Sequence, residues 1–379
     1  MEDGRAPVIG DAAEPRPGPS TSLCTLRRRS DCDQCDIDFA RLRPPRLDPD
    51  LFITMTSSHV TMTVLGCGTM GIAIINGVLT SLSEPKPLPT PSPSGNSTPA
   101  DELPQDLPSR FIACVRSAES AERVAVALKA HLSVVSVFRE RNVEAASQAQ
   151  VVLLACKPYM VDKVLGEPGM AEALRGKLLI SICAGISVEH IRTALYGDSG
   201  HGSREACRFV RAMCNTAALI RESMTVIGIG DPPLSPTDNK LVTWIFKRVG
   251  DVVHLPDSAM DISTAIVGSA PAMFALMLEA AVDGAVAMGL ARADAQKMAT
   301  QAMRGATGLI QAGEHPTRLR EKVSTPGGCT IGGLLVLEEG AVRGTVSRAI
   351  RETTCIASQL GQGVQGVNGT RSPMAQRNQ

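Results

Sequence analysis

The sequence predicts an α/β protein, a doubly wound domain built on a parallel sheet followed by an all-helical domain. Three observations carry this. Between residues 59 and 256, apolar runs of strand length alternate with helical patterns, as in a sheet whose parallel strands are joined by helices. Beyond Asp257 the strand signals stop, and Ala-, Met- and Leu-rich helical runs continue to about residue 360. The 379 residues amount to about two domains plus extensions, at roughly 100–200 residues per domain.

The expected strands are Val60–Gly66, Arg110–Val115, Val151–Cys156, Leu178–Ala184, Cys207–Met213, Met224–Ile229 and Val252–Leu255. Helical patterns at Ile72–Leu82, Ser120–His131, Val161–Arg175, Val188–Leu195 and Pro236–Val249 fall between most of them. Residues 1–58 hold seven Pro, ten acids and no hydrophobic periodicity, and are expected to be a disordered arm. The acids argue against a transit peptide, and no apolar run suits a secretory signal. Met55 and Met62 are alternative starts, so the presence of the arm in the mature protein stays open. The sheet domain, 59–256, carries a Pro/Ser-rich insertion at 83–109, read as an extended loop. The helical domain runs over 257–361, and a polar, Gly-rich tail, 362–379, is expected to be disordered.

Lys plus Arg equals Asp plus Glu at 38 each, and aromatic residues make up 3%, so neither a basic face nor stacking side chains point to nucleic acid. The most apolar stretch, Ala270 to Ala291, is interrupted by Glu279 and Asp283 and falls short of the ~18 uncharged residues of a spanning helix, so no membrane partner is expected. The eleven Cys are scattered, several inside apolar runs, as suits a reducing compartment; the cytoplasm is the default location. The one C-x-x-C, Cys32 to Cys35, lacks nearby residues to complete a zinc site, and no metal is expected. From Ala265 to Gly289 apolar and small residues go almost all the way round the helix. A helical domain of about 100 residues has little interior for such a surface, so a homodimer through this domain is expected.

The sharpest local signal is TVLGCGTMGIAIINGVL, where Gly66, Gly68 and Gly71 form G-x-G-x-x-G between a strand and a helix, the Rossmann-type setting for a dinucleotide. Gly66 permits the tight turn, Gly68 lets the pyrophosphate reach the backbone, and Gly71 allows close helix packing, with the phosphates on unpaired N–H groups of the helix N-terminus. The second strand ends FIACVRSAES: Arg116 and Ser117 stand at the ribose position and no acid does, which favours NADPH, with NADH left open as a second donor. Three later segments, Ala155 to Val161, Ile180 to Ser187 and Arg211 to Leu219, place small residues or Pro at strand ends along the crevice. Lys157 is a phosphate or ribose contact or a solvent-facing stem in one reading and a proton donor in another. In the helical half, Pro326 breaks the helical pattern, Gly327 and Gly328 free the backbone for an anion nest, and Thr330 follows as either a helix cap or a ligand contact.

Taken together, GCGTMG, ACKP, SICAGIS, AMCNT, GSAPAMFALMLEAAVDGAVAMGL and STPGGCTIGGLLVLEEGAVR resemble the pyrroline-5-carboxylate reductase family over residues 60–361. The resemblance implies NAD(P)H-dependent reduction of 1-pyrroline-5-carboxylate to L-proline, the last step of proline biosynthesis, and dimers assembling into larger rings. It implies that Gly66, Cys67, Gly68, Thr69, Met70, Gly71, Ala155, Cys156, Lys157, Pro158 and Ala184 bind the cofactor, with Arg116 and Ser117 at the 2′-phosphate. The nest of Gly327, Gly328 and Cys329, with Thr325 beside it, would hold the substrate carboxylate, Thr330 would hydrogen-bond the ring nitrogen, and Asp257 would stand near the substrate. Departures are Cys214 and Ala217 in place of two prolines, and Ala270 and Met273 in place of a glycine and a tyrosine. They keep open a reductase of a different cyclic imine and a non-catalytic NADP-binding regulator. A β-hydroxyacid dehydrogenase would need a Lys on the first long helix, and none occurs between Lys247 and Lys297.

Overall fold

The computed structural model describes residues 60–84, 104, 106–197, 207–362, 364, 367 and 369–370. The arm, with Cys32 and Cys35, and most of the Pro/Ser-rich insertion lie outside the described residues. An eight-stranded sheet has the order β3-β2-β1-β4-β5-β6-β7-β8, formed by β1 (Val60–Leu65), β2 (Pro108–Val115), β3 (Val135–Arg139), β4 (Val151–Leu154), β5 (Leu178–Ser181), β6 (Arg208–Met213), β7 (Ser223–Ile229) and β8 (Gly250–Pro256). Strands β1 to β6 run parallel. The helices of this half are α1 (Thr69–Ser83), α2 (Ala118–Ala127), α3 (Asn142–Ser147), α4 (Val161–Leu165), α5 (Met170–Ala173), α6 (Val188–Tyr196) and α7 (Pro236–Lys247).

Three expectations change. Strand β3 and helix α3 have no counterpart in the sequence reading: β3 is an edge strand with only Val135 buried, so it lacks the continuous apolar run of its neighbours. Strand β7 pairs antiparallel with β6, against the all-parallel expectation, while β8 is parallel to β7. The link 214–222 is a single 3₁₀ turn, too short for the crossover that parallel pairing demands, whereas α7 spans the β7 to β8 crossing. The helix expected over 161–175 is two short ones, parted at Pro168 and at Gly169, whose φ is +88°.

Alternate residues of the central strands feed two cores. Met62, Val64, Phe111, Leu153 and Ile180 pack under α1 and α7, and Leu65, Ile112, Leu154 and Leu179 pack under α3 to α6. Burial on both faces is what lets these strands read as continuous apolar runs.

After β8 the chain is helical: α8 (Met260–Ser263), a π-helical turn (Thr264–Ser269), α9 (Ala270–Ala287), α10 (Arg292–Gln311), α11 (Pro316–Val323), α12 (Cys329–Glu339) and α13 (Val342–Gly361). Met260 and Val267 pack with Met213 and Val226 in a small cluster that seats this half on β6 and β7. Little else here is covered: α9 buries only Ala270 and Val282, and α12 buries nothing. Leu276, Leu335 and Val336 are 66%, 57% and 64% exposed. By length and composition the continuous helical run 257–287 is enough to cross a membrane, since it starts earlier than the stretch weighed in the sequence. In the expected tail, Gly369 is held by the Gln359 amide and the Thr370 N–H donates to Glu352 at 2.8 Å, so these two residues fold back on α13.

Candidate functional site

Strand β1 ends at Leu65 and the chain turns at Gly66, where φ is +80°. A Cβ there would meet the Cys156 backbone at 2.6–2.8 Å, so only glycine lets the β1 turn lie against the end of β4. At Gly68 an added Cβ would meet nothing of the chain nearer than the Gly66 carbonyl at 4.0 Å, which leaves open space over the backbone. At Gly71 it would meet Val64 Cγ1 at 2.8 Å, so this glycine lets α1 pack on β1. Helix α1 starts with no side-chain cap and no acid in its first turn. Its first N–H groups are therefore free for an anion, and the local field favours one. The three glycines thus fit a dinucleotide in the three separate ways that the motif requires.

These residues line a cleft of 670 Å³ along the C-terminal ends of β1, β2, β4 and β5. Every sequence-expected cofactor residue lines it except Gly71, which sits beneath: Cys67, Thr69, Met70, Arg116, Ser117, Ala155, Cys156, Lys157, Pro158 and Ala184 join Gly66 and Gly68. Ser117 caps α2 by accepting from the Ser120 N–H at 3.1 Å, and Arg116 Nη1 lies 4.0 Å from Met160 Sδ. Sequence reasoning missed Ser120, Arg123, Glu140, Asn142 and Lys163, which also line the cleft. Asn142 is oriented by donating to Glu167 Oε1 at 2.7 Å. Asn142 follows the edge strand β3, so the missed strand concealed it. Arg123 was legible only as helix surface, though its Nη2 reaches Ser120 Oγ at 3.4 Å beside the proposed ribose position. Burial pushes the Cys67 thiol up to about 12, against the opposing pull of Arg123, and pushes Cys114 up to about 12. Both thiols stay neutral, adding no charge to the cradle.

The expected substrate residues lie elsewhere. None of Thr325, Gly327, Gly328, Cys329, Thr330 or Asp257 lines the cleft. Gly327 has φ +69°, and the Gly328 N–H donates to the Thr325 carbonyl at 3.0 Å, closing the turn before α12. Gly328 caps α12 without a side chain, and no acid follows in the first turn, so the N–H groups of this turn are open. Thr330 lies inside α12, so the plain-cap reading of its hydroxyl is set aside. Asp257 follows β8, its Oδ1 lying over Gly228, where a Cβ would meet it at 2.3 Å. Asp257 and Asp261 counter the burial that pulls the Arg211 guanidinium down; Arg211 is only 8% exposed. Asn215 ties the end of β6 to the π turn, donating to the Val267 carbonyl at 3.1 Å. Among the described residues no group of His, Cys, Asp and Glu could hold a metal.

Comparisons with known proteins bear on both halves. Residues 257–360 match the family model described as pyrroline-5-carboxylate reductase dimerisation, and residues 61–185 match that described as NADP oxidoreductase, coenzyme F420-dependent. A pyrroline-5-carboxylate reductase of Lophium arboricola is 58% identical over 316 residues, covering 83% of this chain and 97% of the relative. The one from Schizosaccharomyces pombe is 41% identical over 299 residues, covering 79% and 98%. Among solved structures, 1-pyrroline-5-carboxylate reductase from Streptococcus pyogenes superposes with a TM-score of 0.61 at 25% identity, covering 79% of this chain and 98% of that one. The Plasmodium falciparum pyrroline carboxylate reductase with NADP bound shares the fold, with a TM-score of 0.62 at 24% identity over 80% and 98% of the chains.

Proposed function

We propose that this chain, which belongs to the pyrroline-5-carboxylate reductase family, reduces the C=N bond of 1-pyrroline-5-carboxylate to give L-proline, with NADPH as donor. The observation that carries the reading is near full-length identity of 58% and 52% to pyrroline-5-carboxylate reductases, joined to a cleft whose glycines fit a dinucleotide. Bound in that cleft, the nicotinamide cofactor supplies the hydride. The chain's own residues bind and align. The Gly66–Gly71 turn and the α1 N-terminus would hold the pyrophosphate, and Arg116 with Ser117 the 2′-phosphate. Ala155, Pro158 and Ala184, small or compact at the strand ends, would leave room for the ring.

A protonated cyclic imine is already electrophilic at C5, so the remaining tasks are alignment and stabilisation of the nitrogen as its charge is lost. The nest at Gly327, Gly328 and Cys329 would receive the substrate carboxylate through its Gly327 and Cys329 N–H groups, that of Gly328 being used to close the turn, and the Thr330 hydroxyl would hydrogen-bond the ring nitrogen. The cleft contains none of these residues and α12 has no buried side chain, which supports a site completed by the loop of a second copy. The working unit is then a homodimer through α9 to α12, and the exposed apolar face of α9 is a protein contact rather than a membrane one. Rings of such dimers rest on the family resemblance alone. The eight described cysteines are all unpaired, which supports a reducing, cytoplasmic location.

The test is NADPH oxidation with 1-pyrroline-5-carboxylate, 1-pyrroline-2-carboxylate and a six-membered imine, for wild type and Thr330→Ala. Fast turnover of the first substrate is expected. The variant should lose about tenfold to a hundredfold in kcat, with its NADPH affinity unchanged, as for one transition-state hydrogen bond. Absence of turnover with the first substrate beside intact NADPH binding would reject the reading in favour of another imine.

A further inference from the structure

We propose that Cys156 and Cys183 are a peroxide-oxidisable pair that forms a disulfide in the wall of the cofactor cleft, at a position that bound NADP(H) shields. The bond itself does not depend on the proposed reduction; only the shielding rests on the cofactor site.

The sheet sets the two residues side by side. Leu154 of β4 pairs with Ser181 of β5, and the Ile182 N–H donates to the Leu154 carbonyl at 3.0 Å, so the register continues past the strand ends. Two residues further along each chain come Cys156 and Cys183, on the sheet face that also carries Leu154 and Leu179. Neighbouring strands lie about 4.8 Å apart, inside the Cα separation of about 4.4–6.8 Å that a disulfide spans. The Cys183 thiol turns toward the β4 chain at its neighbour: its Sγ is 3.3 Å from the Cys156 carbonyl oxygen and 3.5 Å from that of Leu154.

The partners differ in reactivity. The neighbouring Cys183 side chain pulls the Cys156 thiol below the usual cysteine range, despite burial, while the Cys156 side chain and burial push Cys183 far up. Cys156 is half-buried and Cys183 buried, and both line the open cleft. Burial holds Cys67, Cys114, Cys207 and Cys214 at about 12, so these are poor nucleophiles. Cys156 is thus the attacking thiolate and Cys183 the resolving thiol. The Cys156 sulfur attacks hydrogen peroxide, breaking the O–O bond to give a sulfenic acid and water. Cys183 sulfur then attacks the Cys156 sulfur, the S–O bond breaks, and hydroxide leaves with the Cys183 proton as a second water. Two thiols are oxidised to one disulfide and one peroxide is reduced to two waters. The position gives the bond a consequence, because the Cys156 backbone is what the Gly66 turn packs against. Cross-linking β4 to β5 at that point acts on the wall of the phosphate cradle.

The experiment is peptide mapping of the full-length reduced protein after dilute hydrogen peroxide, with and without NADP+. A linked Cys156–Cys183 peptide, lost again on dithiothreitol treatment, is expected. With Cys183→Ser a dimedone adduct should accumulate on Cys156, and if that variant does not fold, the wild-type map decides alone. At NADP+ a hundredfold above its Kd, linking should slow about a hundredfold, because only the free protein exposes the pair. A map in which Cys329 is oxidised and the 156–183 peptide stays unlinked overturns the pair. Linking at an unchanged rate, with NADP+ binding shown by calorimetry, overturns the shielding.

Discussion

A methyl group at Gly66 would stand 2.6 Å from the Cys156 Cα, one at Gly71 2.8 Å from Val64, and one at Gly68 in open space. The three glycines of one short motif therefore answer to three different forces: backbone against backbone, helix against strand, and room for a ligand. The same resolution separates Arg116 and Ser117 from the rest of the cleft, since they stand where β2 meets α2, while Glu140, after β3, is tied to the end of β2 by donating its N–H to the Val115 carbonyl at 3.1 Å. Arg116→Ala should remove a charge-assisted contact of about 1.5–3 kcal/mol, raising the KM for NADPH about tenfold to a hundredfold while leaving that for NADH in place. Steady-state kinetics with both donors checks this; an equal rise for the two would move the 2′-phosphate to Arg123 and Ser120. All of these residues but Arg123 and Ser120 were legible, because the motif fixes the position of a strand end and a helix start. Arg123 was not, because its role depends on which face of α2 meets the cleft.

Helix α1 crosses the end of α7 at Gly77, where a Cβ would lie 2.5 Å from Val249 Cγ1 and 3.0 Å from the Arg248 carbonyl. The contact sets how deeply α1 sinks on the sheet, and hence where its N-terminus presents the phosphate site. Gly77→Ala should destabilise by about 1–3 kcal/mol through overpacking, offset by up to about 1 kcal/mol of helix propensity. Urea unfolding measures the net loss, and a net gain would show that α1 can lift without cost. The central strands were readable as elements because both their faces are buried, which makes each an unbroken apolar run. The edge strand β3 was not, since its outer positions face solvent. The reversal at β7 follows from link length, a property of the path between strands and not of either strand.

Over the whole chain, the sheet half is finished and the helical half is not. Leu335 on α12 is 57% exposed, Leu276 on α9 is 66% exposed, and α12 buries no side chain at all. On a monomer Leu335→Asp would be a neutral surface change; in a dimer it places a charge in an apolar contact. The variant should keep its circular dichroism, run as a monomer in light scattering, and lose most of its activity, because each site would lack its second copy's loop. A monomer with full activity would place the Thr330 loop and the cleft of one chain in the same site. The local features were legible in the sequence alone: the glycine turn, the central strands as elements, the place of Arg116 and Ser117 at a strand end on the cleft, and the helical second half. Each depends on residues close together along the chain, where φ preference, strand burial and helix period act within a few positions. Tertiary structure alone decided the antiparallel β7, the cleft residues from the β3 edge, the meeting of Cys156 with Cys183 and the separation of Thr330 from the cofactor cleft. These turn on which distant segments come to lie together, and packing of the whole chain determines that.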